Sequence, residues 1–286
     1  MRIAIAFFLT FAILPIAAGL VYALLYSLGI VGAMNHGFTL DHWGKIWTDR
    51  SWWASLGLSA LVAVTVTVLS AGLALRLLGW LRPLLELRRV RFVLHWPLAL
   101  PPIIAAFFSF QWLGNSGMLA RLAYHLGWSD GPADFPSLIN DAYYLGVGFT
   151  LLLTTFPFFL LLFLHHYQAA QLPQLSQLSA TLGASAAQIR LQVMMPILLR
   201  RAAPTLLLYF VFLLGAYEVP LLLGRQSPAM LSVFISQKFS KFNLDDLPLA
   251  YAATVLYMCM LLVIVALFFK ERWPHLSAQR QARAKR

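Results

Sequence analysis

Apolar residues run along this chain in long blocks rather than in amphipathic stripes. The blocks fall at about residues 4–30, 53–78, 92–112, 142–166, 202–223 and 248–269. Each is about 20 residues or longer, the length at which a helix crosses a bilayer. A helix satisfies its own backbone hydrogen bonds, so it is the form such a block takes in lipid. The pattern predicts an all-α integral membrane protein with six transmembrane helices. No separate soluble domain and no internal repeat interrupts it, so residues 1–286 read as one transmembrane domain. Arg2 followed by an apolar run has the look of a signal peptide, and Ala17-Ala18-Gly19 of its cleavage site. The run continues from Ile3 to Ile30, well beyond the roughly 7–15 apolar residues of a signal peptide. It reads as a retained first span.

Composition points the same way. The chain is 60% hydrophobic and 11% charged, where a soluble domain carries about 25% charged residues. A single cysteine, Cys259, excludes an internal disulfide framework and reads as a small packing residue. The net charge of +11 would suit nucleic acid, but its distribution suits topology better. Segments 1–3, 76–91, 167–201 and 270–286 hold 15 basic residues against two acids, Glu86 and Glu271. The alternate segments 31–52, 113–141 and 224–247 hold six basic residues against seven acids. Lysine and arginine in short loops stay cytoplasmic. Both termini are therefore expected in the cytoplasm, with Arg82, Arg88, Arg89, Arg91, Arg280, Arg283, Lys285 and Arg286 as topology anchors. No aromatic or motif partner for nucleic acid accompanies them. On the outer side, Trp43, Trp47, Trp52 and Trp53 read as interfacial aromatics. Segment 113–141 is polar, with Gly114, Gly117, Gly127 and Gly131.

The cytoplasmic connection 167–201 carries the most local chemistry. Pro173 suits the first turn of a helix. Leu175, Leu178 and Leu182 follow at i, i+3 and i+7, one apolar face. Gly183 reads as the helix stop, since glycine tolerates a left-handed backbone. Ser185 with Gln188 three residues on is a capping box that starts a second helix. Ile189 and Val193 give that helix its apolar face, and Pro196 is expected to break or kink the chain before the fifth span. The segment holds no acid and three arginines, Arg190, Arg200 and Arg201. The local pattern leaves two readings open. One is an amphipathic connection lying on the membrane, and the other is a helix–turn–helix that grips a soluble partner.

This stretch resembles the signature loop of binding-protein-dependent ABC importer permeases, the MetI-like family. That pattern runs Glu-Ala-Ala, three residues, Gly, nine residues, Ile, one residue, Leu-Pro. Here Gln177, Leu178 and Ser179 stand at the Glu-Ala-Ala positions, and Gly183 holds the glycine. Val193, Met195 and Pro196 fill the last positions without a gap, and Leu182-Gly183-Ala184-Ser185 matches the common form. The leading acid and both alanines are absent, which removes any salt bridge that acid would make. The resemblance extends to six spans with this loop between the fourth and fifth. It implies a permease of a bacterial inner membrane, paired with a second permease, the same chain or another. It further implies two cytoplasmic ATPases as partners, and an extracytoplasmic solute-binding protein. The helix near Gly183 would dock in a groove of the ATPase and pass its motion to the spans. Gln177, Ser179, Leu182, Gly183, Ala184, Ser185, Val193 and Pro196 would be the coupling residues.

The chain is not expected to be an enzyme or to hold a cofactor or metal. Gly37 to Gly44-Lys45 is the nearest approach to a phosphate-binding loop. Six residues instead of four separate its glycines, and Ile46 replaces the Ser or Thr. His165 and His166 are adjacent, without metal-ligand spacing, and read as interfacial.

One acid lies within a predicted span: Glu218, in Tyr217-Glu218-Val219-Pro220. An intramembrane charge is costly and marks function or a structural partner. A carboxylate on a substrate path and an acid bonded to tyrosine or backbone both fit. Pro220 is expected to loosen the helix there. Tyr217 to Gly224 also resembles the fifth span of permeases for polyamines, iron(III), thiamine and sulfate-like solutes. A lone acid leans toward a cationic solute such as a polyamine, although in this family the binding protein usually sets specificity. Pro97, Pro101 and Pro102 read as kinks lining the bundle. His95 reads as packed near the inner boundary, with a place on the pathway as the other option. An ion- or proton-coupled secondary transporter is the rival function. It would normally show several intramembrane acids or histidines and a repeat. A membrane-embedded enzyme would need paired carboxylates or a nucleophile motif, and neither is present.

Overall fold

The computed structural model describes the backbone of residues 2–32, 37–131, 134–240, 244 and 246–284, and the side chains of these from 7 to 270. Arg2 and the tail cations Arg280, Arg283, Lys285 and Arg286 therefore lie outside the described side chains. Among the described residues the regular structure is helical. In order, the helices are α1 Arg2–Ser27, α2 Asp41–Thr48, α3 Arg50–Leu85, α4 Arg88–Ala99, α5 Pro102–Leu113, α6 Met118–His125 and α7 Leu145–Ala169. They continue with α8 Leu172–Thr181, α9 Ala186–Gln188, π-helical turns Ile189–Met194, α10 Met195–Leu214, α11 Glu218–Leu223, α12 Leu231–Phe239 and α13 Asp246–Ala284. Among the described residues, six stretches are long and apolar enough to cross a membrane: Phe7–Ser27, Arg50–Leu85, Pro102–His125, Leu145–Ala169, Ala186–Leu214 and Asp246–Lys270.

The chain packs as two compact units, Met1–Ala54 with Phe234–Arg286, and Ser55–Val233. In the first, α1 and α2 lie against α13. Tyr251 is ringed by Tyr22, Tyr26 and Phe239 at centroid distances of 6.0, 4.4 and 5.0 Å. Phe7, Phe8, Phe11 and Leu14 of α1 are exposed, which suits a helix surrounded by hydrocarbon. Trp52 is fully buried, so it is a core residue and not an interfacial one. Trp47 and Trp53 remain exposed, and the Trp53 indole donates to the Trp47 carbonyl at 2.8 Å. Cys259 is exposed on α13 and does not pack inside, because an all-apolar helix offers no stripe that tells core from lipid.

The second unit carries the site. Its core joins Leu75, Leu78 and Leu85 of α3, Phe159, Phe163 and Tyr167 of α7, Leu172 of α8, and Leu198 and Ala202 of α10. Two apolar blocks are interrupted where unbroken spans are predicted. The third is broken at Leu100-Pro101, both extended. The residue before a proline is driven out of the helical region, and Pro101-Pro102 applies that rule twice. The three prolines thus give a full break rather than kinks. The fifth span starts earlier than 202 and ends at Leu214. Pro196 does not break it. It sits in the first turn of α10, after π turns in which Met195 N–H reaches back to the Arg190 carbonyl. That widened ladder leaves room for a ring without a donor. The interruption falls instead at Gly215–Tyr217. Pro220 is not its cause, being in the first turn of α11, where a missing N–H costs little.

Candidate functional site

Two features stand out in this unit, a doubly capped bend and a cavity. At the bend, Gln171 is left-handed, Leu172 is buried in the core and Pro173 occupies the first turn of α8. The helix ends at Gly183, with φ +88°. Gly183 N–H donates to the Ala180 carbonyl at 3.0 Å, and Ala184 N–H to the Ser179 carbonyl at 3.1 Å. That pair of bonds is a Schellman stop, which satisfies the last carbonyls of the helix. The next helix starts at once. Ser185 N–H donates to Gln188 Oε1 at 2.8 Å, and Gln188 N–H donates to Ser185 Oγ at 3.3 Å. This is the reciprocal capping box that the sequence predicts.

The hydroxyls of Ser179 and Thr181 turn back onto the Leu175 and Leu178 carbonyls. Leu175, Leu178 and Leu182 are left projecting outward, Leu182 with 81% of its surface exposed. Gln177 is also exposed, while Ala184 and Val193 are half-buried and Pro196 is exposed. Replacing Ser185 with alanine removes one half of the box at a cost of about 1 kcal/mol. Amide exchange over residues 186–190 should then quicken about fivefold. An unchanged rate would mean that the box contributes nothing.

The bend is tied firmly to the spans. Arg82 Nη1 donates to the Tyr167 hydroxyl at 2.5 Å, and its guanidinium lies 5.1 Å from the centre of that ring. The same guanidinium pairs with Glu86 at 3.2 Å. On the other side, the stem of Arg190 covers Gly79, so close that a Cβ there would lie 3.2 Å from Arg190 Cδ. Arg82 is therefore a bridge between α3 and α7 as well as a charge at a helix end.

The cavity holds about 460 Å³. It lies where the two interrupted spans face α7. The break between α4 and α5 contributes Pro97, Leu100 and Pro102, α7 contributes Thr154 and Thr155, and α10 contributes Tyr209 and Phe212. The second break contributes Gly215 through Val219, including Tyr217 and Glu218. Among the described residues, Glu218 is the one charged lining residue, and its side chain is exposed. Tyr209 is fixed by rings on both sides, stacked on Phe158 at 4.8 Å and edge-on to Phe159 at 5.1 Å.

Of the residues singled out from sequence, Pro97, Pro102, Tyr217 and Glu218 come together here. Pro101 does not line the cavity, and Pro220 is buried beside it in α11. His95 neither packs inside nor reaches the cavity. It is exposed on α4 and bonded through Nδ1 to the Arg91 carbonyl at 2.6 Å. Tyr209, Phe212, Thr154 and Thr155 were not foreseen. The adjacent pair Thr154-Thr155 in a mostly apolar block is a signal that could have marked α7; Tyr209 and Phe212 carry none.

No protein-family model matches the chain, and no curated protein sequence matches it significantly. Solved structures do. A chain of a bacterial ABC transporter involved in the import of the acidic polysaccharide alginate is 16% identical, with a TM-score of 0.67 over 92% of this chain and 90% of that one. A chain from the bacterial alginate ABC transporter in complex with an alginate pentasaccharide-bound periplasmic protein is 17% identical. Its TM-score is 0.68 over 96% of this chain and 93% of the other. At these identities the likeness establishes a shared fold over nearly the full length.

Proposed function

We propose that this chain is the permease subunit of a bacterial ABC importer, seated in the inner membrane with both termini and the bend at Gly183 on the cytoplasmic side. The observation that carries the reading is the exposed leucine face of α8, closed by a Schellman stop and a capping box, in a fold shared with chains of ABC importers. Leu182, Gly183, Ala184 and Ser185 form the turn that a cytoplasmic ATPase dimer grips. Gln177 and Ser179 lie on the approach to it, and Val193 and Pro196 on the return to the span. With glutamine at position 177, the grip rests on shape and apolar contact more than on charge. A second permease and an extracytoplasmic solute-binding protein complete the assembly.

The solved neighbours handle an acidic polysaccharide. Here the lone charge of the cavity among the described residues is a carboxylate, which repels an acid. A small polar solute, with a lean to polyamines, fits better. Glu218 would also serve an ion- or proton-coupled carrier, so the test must separate the two. Affinity purification of the tagged chain from its native membrane should retain an ABC ATPase, identified by mass spectrometry. Uptake into liposomes by the purified assembly should require ATP. Transport driven by an ion gradient without ATP, and without an ATPase in the preparation, would overturn the proposal.

A further inference from the structure

The cavity has the chemistry of an organic ammonium site. We infer that it holds the ammonium group of an organic cation between the Glu218 carboxylate and the aromatic side chains Tyr209, Phe212 and Tyr217. The inference deepens the permease reading and rests on it for its place in transport. Four properties of the cavity converge. Its volume of about 460 Å³ lies within the roughly 300–1,000 Å³ of small-molecule sites. Its one charge is negative, and among the described residues no cation is paired with Glu218. Three aromatic side chains share the lining with that carboxylate. An organic cation within about 6 Å of a ring centre is attracted by the ring's quadrupole. Finally, the wall is built in advance: Tyr209 is wedged among Phe158, Phe159 and Phe212, the last at 5.5 Å.

The same lining argues against other solutes. A divalent metal such as calcium takes about six to eight oxygen ligands, and the cavity offers one carboxylate, two threonine hydroxyls, two tyrosine hydroxyls and backbone. A hard trivalent cation is served no better. Among the described residues, an anion meets no basic side chain there. A neutral saccharide could use the hydroxyls and rings but would leave the Glu218 carboxylate without a counter-charge on a mostly apolar wall. An amine or quaternary ammonium matches both the charge and the rings.

Binding to the full chain in phosphatidylcholine nanodiscs, measured calorimetrically at low ionic strength, tests this without an ATPase. Spermidine should bind saturably, and calcium chloride and glucuronate should not. Glu218→Gln should weaken spermidine at least about tenfold, the lower bound for losing a contact to a charged group. Glu218→Asp, which keeps the charge, should retain most of the affinity, and a melting midpoint of Glu218→Gln equal to the parent's separates lost binding from misfolding. Phe212→Leu should weaken binding about threefold, in keeping with a partly exposed ring. Absence of saturable spermidine binding, equal binding of glucuronate, or unchanged affinity in either Glu218→Gln or Phe212→Leu overturns the inference. A chain that recruits an ATPase yet fails to bind spermidine loses this site and keeps its permease role. One that binds spermidine and recruits no ATPase does the reverse.

Discussion

A Gly183→Val variant is expected to insert and fold, yet to lose ATP-driven uptake by at least about tenfold. Gly183 has φ +88°, a region that costs an L-residue about 1–2 kcal/mol and a β-branched one more. A Cβ at this position would meet no atom within 4 Å. The penalty is therefore one of backbone conformation alone, and no packed neighbour is disturbed. To escape it, the turn must open, and the two bonds from Gly183 and Ala184 to Ala180 and Ser179 are lost with it. The exposed leucines of α8 then no longer stand at a fixed angle to α9 and the fifth span. A graded series distinguishes this cause from bulk. Asparagine tolerates the left-handed region and should retain much of the activity, alanine less, and valine least. Uptake and ATPase activity are measured in parallel on the same assembly. Equal uptake in the asparagine and valine variants, at any level, would separate the role of Gly183 from its backbone angle.

The bend was legible in the sequence because its chemistry is local. A proline in a first turn, a glycine at a stop and a serine three residues before a glutamine each act within one helical turn. Their effect does not depend on what lies across the bundle. The cavity was legible only in part, at Pro97, Pro102, Tyr217 and Glu218, for the opposite reason. Apolar blocks report that a segment avoids water. They do not report whether a residue meets lipid, core or an internal void, since all three favour the same side chains. Trp52 inside and Cys259 outside are two results of that degeneracy. The breaks that make the cavity are a mixed case. Pro101-Pro102 announced itself, but a kink and a full break differ only in how the flanking helices pack. The break at Gly215–Tyr217 has one small residue pair to mark it, Gly215-Ala216, and the adjacent Pro220 drew attention four residues too far along. The π turns at Ile189–Met194 seat Pro196 in a continuous helix; the proline was visible, but a widened ladder and a break share that same local signature.

Together these features suggest how a pull on the bend would reach the cavity. Leu172 and Leu198 bracket the bend, and both are buried against α3 and α7. Arg82 clamps Tyr167 at the end of α7, and Arg190 lies over Gly79 of α3. The bend is thus continuous with α10, which runs from Met195 to the break at Gly215. In the proposed importer, a displacement of α8 would be passed along α10 to the residues that line the cavity. With the core packed around Leu198 and Ala202 and the backbone interrupted at Gly215–Tyr217, the fifth span would yield beside Glu218.

The largest effect on folding is expected far from the bend, at Gly146. This residue is buried in the first turn of α7, where the segment before it crosses the helix so closely that a Cβ would overlap the Leu138 carbonyl oxygen. The obstacle is backbone, which cannot swing aside as a side chain can. It is also held from several directions. Asp141 accepts the N–H groups of Tyr143 at 3.0 Å and Leu145 at 2.9 Å. Asn140 N–H donates to the Leu223 carbonyl at 2.8 Å. The Tyr144 hydroxyl donates to the carbonyls of Pro228 and Arg225 at 2.5 and 3.0 Å. Gly146→Ala therefore has to move a strapped loop, at a cost at or above the upper end of the about 1–3 kcal/mol typical of overpacking. Gly148, two residues on in the same helix, has nothing within 4 Å of its Cβ position. Gly148→Ala should be neutral, or more stable by about 0.5–1 kcal/mol through helix propensity. Thermal unfolding in detergent compares the two. At about 2–4 °C per kcal/mol, Gly146→Ala should melt roughly 10 °C below the parent, and Gly148→Ala should match or exceed it. Equal midpoints for the two variants would show that the crossing at Leu138 yields, and that α7 is not pinned there.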